Sequence, residues 1–253
     1  MKFSILTCSY NKGKYLEDYF RSIYEQKYRP LEIVFLNDCS NDDTLSIIYK
    51  MERKLEEKGI DFTYLDNKER LYCGSSYRKA VERVSGHYVG IVDADDMLMP
   101  NVIQRVCDAY QKHPNIGWIY TQFMICDIKM KEIRKGFCRA PKKGENLIDL
   151  ADKKIHGYGH WRTYNSKFID KPYKLYEKRF KCAVDKGMGY RLEEMAPGMF
   201  LNQICYKYRR HPEGSKNSVS STKYALEMWR KIVEKSKKRR KEYNKEIFSI
   251  TNG

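Results

Sequence analysis

The sequence predicts an α/β protein with a mostly parallel sheet and helices on both of its faces. Three observations lead there. Strand-sized apolar runs alternate with helix-periodic segments, the apolar runs are nearly continuous, and the loops that follow them are polar. KFSILTC reads as the first strand, and SYNKGK leads from it into a helix carrying Tyr15, Leu16, Tyr19, Phe20, Ile23 and Tyr24 at helical spacing. LEIVFLND, residues 31–38, is the second strand after Pro30. SNDDTLSIIYKMERKLEEKG then begins with capping-type residues and stops at Gly59. IDFTYLD is a third strand, residues 74–85 a helix and HYVGIVD a fourth strand. Pro100 opens the next helix, which ends at His113-Pro114.

After residue 115 the pattern changes. IGWIYTQFMICD and KEIRKGF form a hairpin around IKMK, and an irregular stretch with GYGHWRTYN, residues 157–165, follows. A helix over 184–195, a strand MFLNQICYKY and the loop RRHPEGSKNS come next. The last helix starts at about residue 222 and packs Tyr224, Met228, Trp229, Ile232 and Val233 as one stripe. No repeat or linker divides the chain, so residues 1–253 read as one domain in three parts: 1–115, 116–221 and a basic C-terminal helix over 222–253.

The formal net charge is +16 over 253 residues, which points to nucleic acid, an anionic membrane or phosphorylated substrates as partners. Residues 230–245 hold nine Lys or Arg against two Glu, and a solvated helix face is the alternative there. The eight cysteines stand singly, which suggests reduced thiols and a cytoplasmic setting. The apolar runs fall short of the roughly 20 residues of a membrane span, and the N-terminus turns polar too early for a secretory leader.

GHYVGIVDADDMLMP sets Asp93, Asp95 and Asp96 at the end of a buried strand. Three carboxylates so close repel one another unless a cation lies among them. Mg²⁺ or Mn²⁺ takes one or two carboxylates plus phosphate oxygens, so Asp93-Ala94-Asp95 suits a nucleoside diphosphate held through a metal. An acidic turn capping the next helix is the alternative, and Asp96 fits that role equally. In parallel sheets ligands bind beyond the carboxyl ends of the strands, where the loops CSYN, NDCSNDD and DADD gather.

These segments resemble the family 2 glycosyltransferases of GT-A fold. ILTCSYNKGKYL is similar to that family's V-I-I-P-T-Y-N start, LEIVFLNDCSNDDTL to its E-I-I-V-V-D-D-G-S-T-D-D-T, and GHYVGIVDADDMLMP to G-E-Y-I-A-F-L-D-A-D-D-x-x-x-P. KCAVDKGMGYRL and YKYRRHPEGSKNS are looser matches to the catalytic-carboxylate segment and the closing Y-R-x-H-x-x-S. The resemblance implies a GT-A, Rossmann-like sheet and a metal-dependent, inverting hexosyltransferase. The nucleotide-sugar would lie on residues 1–115, UDP-linked by default with GDP and dTDP open, and the acceptor on 116–221.

It also implies roles. Cys8, Ser9, Tyr10 and Asn11 border the nucleotide, Tyr10 packs on the base, and Asp38 accepts from the base edge or ribose unless it caps a helix. Asp95 ligates the metal, with Asp93 near the ribose or a metal-bound water. Arg70, or Tyr72 in its place, faces the diphosphate, as do Arg209 and Arg210. His211 is a third candidate metal ligand. Asp185 is the general base, with Glu193 and Glu194 as rivals. Cys39 replaces the family's Gly in the N-D-G-S turn.

The acceptor is read from charge and rings. GYGHWRTYNSKF and KPYKLYEKRFK mix aromatic with basic residues, which suits a polyanionic acceptor such as hydroxymethylated bases of virus-type DNA. A cell-surface polysaccharide or lipid-linked glycan, built against an anionic membrane that the basic helix touches, is the alternative. An inactive nucleotide-sugar or nucleic-acid binding module is the third.

Overall fold

In the computed structural model, which describes residues 1–153, 158–178, 180–211, 223–242 and 247–253, the first half alternates as expected. Strand β1 (Phe3–Ser9), helix α1 (Gly13–Tyr24), β2 (Leu31–Asn37), α2 (Thr44–Glu57), β3 (Ile60–Asp66), α3 (Tyr72–Ala80) and β4 (Tyr88–Ile91) follow one another. Strands β1 and β2 are buried along nearly their whole length, which explains their unbroken apolar sequences. β1 lies between β2 and β4, β3 lies outside β2, and all these pairings are parallel.

The second half comprises β5 (Met97–Leu98), α4 (Val102–Lys112), β6 (Trp118–Cys126), β7 (Glu132–Lys135), α5 (Leu147–Asp152) and β8 (Arg162–Asn165). After these come α6 (Val184–Glu193), β9 (Gly198–Arg209), α7 (Lys223–Glu242) and β10 (Ile250–Asn252). The sheet runs β10-β9-β6-β8-β4-β1-β2-β3, with β5 on β9 and β7 on β6. β6–β9 and β9–β10 are parallel, and every antiparallel pairing involves a strand after residue 96. The hairpin around residues 127–131 forms as its sequence suggests.

β8 departs from the expected irregular stretch. It is the bridge between the two halves, antiparallel to both β4 and β6. Its residues RTYN carry no apolar alternation, yet Arg162, Thr163 and Tyr164 are all buried. Only the sheet on either side makes such a segment extended. The basic run of α7 is solvated at Arg230, Lys231, Lys235, Lys237, Lys238 and Lys241 but not throughout. Arg239 and Arg240 of α7 are each 9 % exposed and reach inward to α6. Among the described residues, no helix is long and apolar enough to cross a membrane.

Candidate active site

The loops after β1, β2 and β4 meet along one rim. Asp38 N–H donates to Ser9 O at 2.7 Å, Asn11 N–H to Ser40 Oγ at 2.9 Å, and Thr7 Oγ1 to Val92 O at 2.7 Å. Asn11 (φ 52°) and Cys39 (φ 63°) both sit in the left-handed region, so the turn keeps the backbone a glycine would favour although Cys39 stands there. Asp38 is buried. Its Oδ1 accepts from Asn67 Nδ2 and Leu71 N, and its Oδ2 from Tyr72 N, each at 2.8 Å. The helix whose entrance it holds is therefore α3, not the α2 that follows it in sequence.

Tyr10 and Tyr72 flank Arg70, whose guanidinium carbon lies 3.7 Å and 4.5 Å from the two ring centroids. Lys181 Nζ lies 4.1 Å from the Tyr72 ring centroid as well. The two alternatives for this position, Arg70 and Tyr72, thus belong to one stack. Cys8 is half-buried beside it, and Ser9 Oγ is buried with no hydrogen-bond partner among the described residues.

The three aspartates have separate surroundings. Asp95 Oδ2 meets Lys12 Nζ at 2.5 Å and His211 Nε2 at 2.9 Å. Burial opposes its charge, but the His211 hydrogen bond and the Lys12 cation outweigh that and hold its carboxyl far below the usual range. Ala94 is a buried spacer. Asp93 opens on the cleft, with Tyr77 Oη 3.4 Å from its Oδ1. The protein walls strip water from its other sides, and with the charges of Asp95 and Asp185 they raise its pKa to about 6.

Asp96 caps no helix. It is 1 % exposed, its Oδ2 accepts from Tyr206 Oη at 2.8 Å and its Oδ1 from Arg209 N at 2.7 Å. Burial and then the charges of Asp95 and Asp93 push its carboxyl well up, toward the neutral acid. Three adjacent carboxyls therefore coexist with fewer than three full charges.

Arg209 is placed differently from the diphosphate contact expected of it. It is 2 % exposed, and its guanidinium donates to Asp95 O at 2.6 Å, Ile128 O at 2.5 Å and Asp18 Oδ2 at 2.9 Å, leaving little to offer a ligand. Arg210 is exposed. His211 also has its Nδ1 3.3 Å from Tyr15 Oη, and the loop after it lies outside the described residues.

Asp185 stands at the start of α6 with its side chain 49 % exposed. Burial on its protein side raises its pKa, but the cations of Arg162 and Lys186 and the adjacent His160 win, and the net direction is downward. Arg162 Nη2 is 3.3 Å away. The segment leading to α6 lies against α3 because Gly74 leaves room: a Cβ there would stand 2.0 Å from Glu177 O. Asp185 and Asp93 line one cavity of about 150 Å³, with Tyr77, His160 and Arg162.

The rivals Glu193 and Glu194 face away from this cavity. Glu194 pairs with Arg239 (2.6 Å) and Arg240 (3.1 Å), and Glu193 pairs with Arg240 (2.8 Å), all buried between α6 and α7. Four residues of the site escaped the sequence reading: Lys12, His160, Arg162 and Lys186. Lys12 lay inside SYNKGK and Lys186 directly after Asp185. His160 and Arg162 lay in GYGHWRTYN, whose mixture of rings and cations was the one available signal.

Among the described residues, no three His, Cys, Asp or Glu side chains converge closely enough to hold a metal by themselves. Asp95 and His211 do converge on one point, and Lys12 supplies a cation at that point.

Comparison with known proteins bears on the fold and the family. Chondroitin synthase of Escherichia coli is 27% identical over 233 residues, 92% of this chain and 32% of that protein. The chain spans less than half the length of this and several other curated relatives. Staphylococcus aureus TarS, residues 1–349 in complex with UDP-GlcNAc, superposes with TM-score 0.68 at 20% identity over 92% of this chain and 65% of that one. A mannosyltransferase of Pyrobaculum calidifontis in complex with GDP-Man and Mn²⁺ gives 0.60 at 17% identity, covering 84% and 58%. These likenesses establish the GT-A fold. The family model matches residues 4–176, the whole rim of strand ends together with the bridging strand β8, and the chain accordingly belongs to glycosyl transferase family 2.

Proposed function

We propose that this chain transfers a sugar from a nucleotide-sugar, UDP-linked in the simplest case, to a hydroxyl of a saccharide acceptor with inversion at the anomeric carbon. The observation that carries the reading is Asp185: an ionised, solvent-open carboxylate on the same cavity as Asp93. The acceptor oxygen bonds to the anomeric carbon as that carbon's bond to the diphosphate oxygen breaks. Asp185 takes the hydroxyl proton, and the nucleoside diphosphate leaves. One base suffices, and no covalent intermediate forms.

Tyr10 offers its ring to the base, and Arg70, stacked on it, offers charge toward the diphosphate. A divalent cation fits the Asp95–His211 pair as a two-ligand site completed by diphosphate oxygens and water. When bound, such an ion stabilises the negative charge that develops on the leaving diphosphate. Arg209 and Asp96 bind no ligand in this scheme; they fix the aspartate turn against β9.

A saccharide acceptor is favoured over hydroxymethylated DNA for two reasons. A curated relative over most of the chain is named a chondroitin synthase. The basic run that suggested DNA also has two of its arginines buried in ion pairs with Glu193 and Glu194, so less of its charge faces a partner. A screen of UDP- and GDP-sugars with Mn²⁺, against oligosaccharides and against hydroxymethylcytosine duplex, tests both readings. Transfer to oligosaccharide is expected. Transfer to the duplex alone overturns the acceptor assignment, and binding of donors without turnover on any acceptor favours the inactive module.

A further inference from the structure

A second cavity, of about 180 Å³, lies on the other side of Asp185, lined by Phe123, Tyr158, His160, Arg162, Asp185 and Lys186. Asp185, His160 and Arg162 line both cavities, so the carboxylate stands between them. Asp93 lines the first cavity and not the second, which leaves the second for whatever brings the hydroxyl.

Part of the lining is aromatic. The His160 ring stacks on Tyr208 at 4.1 Å and 15°, and Phe123 meets it edge-on at 4.4 Å. Burial, then the Arg162 and Lys186 charges, lower the His160 pKa to about 4, so the ring is neutral near pH 7. The C–H face of a pyranose packs well on such a surface.

The rest of the lining carries cations. Arg162 is 5 % exposed, and its Nε is buried without a hydrogen-bond partner among the described residues. Its Nη1 reaches His160 O and its Nη2 reaches Asp185, each at 3.3 Å. Lys186 Nζ lies 3.3 Å from the Trp229 ring centroid. Arg162 and Lys186 thus line this space together with the carboxylate of Asp185. A guanidinium this deeply buried is stabilised by an anion held beside it.

We propose that this second cavity is the acceptor subsite and that it selects a saccharide bearing an anionic substituent, a carboxylate or a phosphate, within reach of Arg162 and Lys186. The ring lies on His160 and Phe123, the anion meets the two cations, and a free hydroxyl points past Asp185 toward the donor. The inference rests on Asp185 being the base of the proposed transfer.

The test uses the full chain with Mn²⁺ and UDP, titrated with methyl β-D-glucuronide, glucose 6-phosphate and neutral methyl β-D-glucoside by ligand-observed NMR. At least one anionic sugar is expected to bind about tenfold more tightly than the glucoside, and the two anionic arms show whether carboxylate or phosphate is preferred. Lys186→Gln should abolish the difference while Lys186→Arg keeps it, with unchanged melting temperatures confirming intact folds. Equal affinity for all three sugars, or a difference that survives Lys186→Gln, overturns the proposal, as does binding of hydroxymethylcytosine duplex in place of any sugar. UDP affinity measured in the same samples separates the failures. UDP bound without anion preference sinks the subsite alone, whereas no nucleotide binding sinks the donor reading and this inference with it.

Discussion

Lys12 Nζ and His211 Nε2 approach the same oxygen, Asp95 Oδ2, from different elements: Lys12 from the loop after β1 and His211 from just past β9. An ammonium at this point competes with a divalent ion for the carboxylate. Lys12→Met should therefore strengthen Mn²⁺ binding severalfold in the absence of nucleotide, and Asp95→Asn should weaken it to background. Both are read from the electron paramagnetic resonance signal of free Mn²⁺. Weaker Mn²⁺ binding by Lys12→Met would mean that Lys12 supports the site rather than competing for it.

Asp185→Asn keeps the shape of the carboxylate and removes its basicity. Transfer should fall by about 10²–10⁴, while UDP affinity stays within about twofold. Because the pKa of Asp185 is lowered from its usual 3.8, its active form is lost only below that pH. An acid limb of kcat at higher pH must come from another group.

His160 makes stability depend on pH. Its folded-state pKa, about 4, lies below the ordinary 6.5, so between those values the unfolded chain binds a proton that the folded chain refuses. Stability is then lost as pH falls from 6.5 toward 4, by up to about 3 kcal/mol. His160→Phe should flatten that part of the profile in urea melts at pH 7, 6 and 5. An unchanged slope would show that the imidazole protonates freely.

The pairs between α6 and α7 are buried, and breaking one leaves an uncompensated charge. Glu194→Gln, which strands Arg239, should lower stability by about 3–5 kcal/mol. Breaking an exposed pair such as Lys231–Glu227 should leave stability essentially unchanged. Comparing the two variants by thermal melting checks the contrast.

Cys39 occupies a left-handed turn, so Cys39→Gly should relieve local strain and gain up to about 1 kcal/mol. A loss instead would assign more weight to the Cys39 Sγ contact with Lys68 O.

The first half of the fold was legible because unbroken apolar strands and periodic helices state their partners openly. The donor rim followed from polar residues placed at strand ends. β8 was hidden because Arg162, Thr163 and Asn165 look like loop residues until β4 and β6 flank them. Arg209 beside Arg210 gave no sign of which would be buried, since that depends on Asp18 and Ile128, far away in sequence. The same holds for Glu193 and Glu194: their distance from Asp185 was readable, but not the arginines of α7 that claim them. His160 and Arg162 could be sensed only as composition, because a pocket is made by several segments and written in none.

The union of α6 with α7 has a consequence for how the molecule can be dissected. Asp185 stands at one end of α6 and Glu193 and Glu194 at the other, so α7 braces the helix that carries the proposed proton acceptor. A protein shortened before Lys223 should still bind nucleotide on its first hundred residues. With Glu193 and Glu194 robbed of counterions, its proton acceptor would drift, and the truncated molecule would hold a donor it could no longer use.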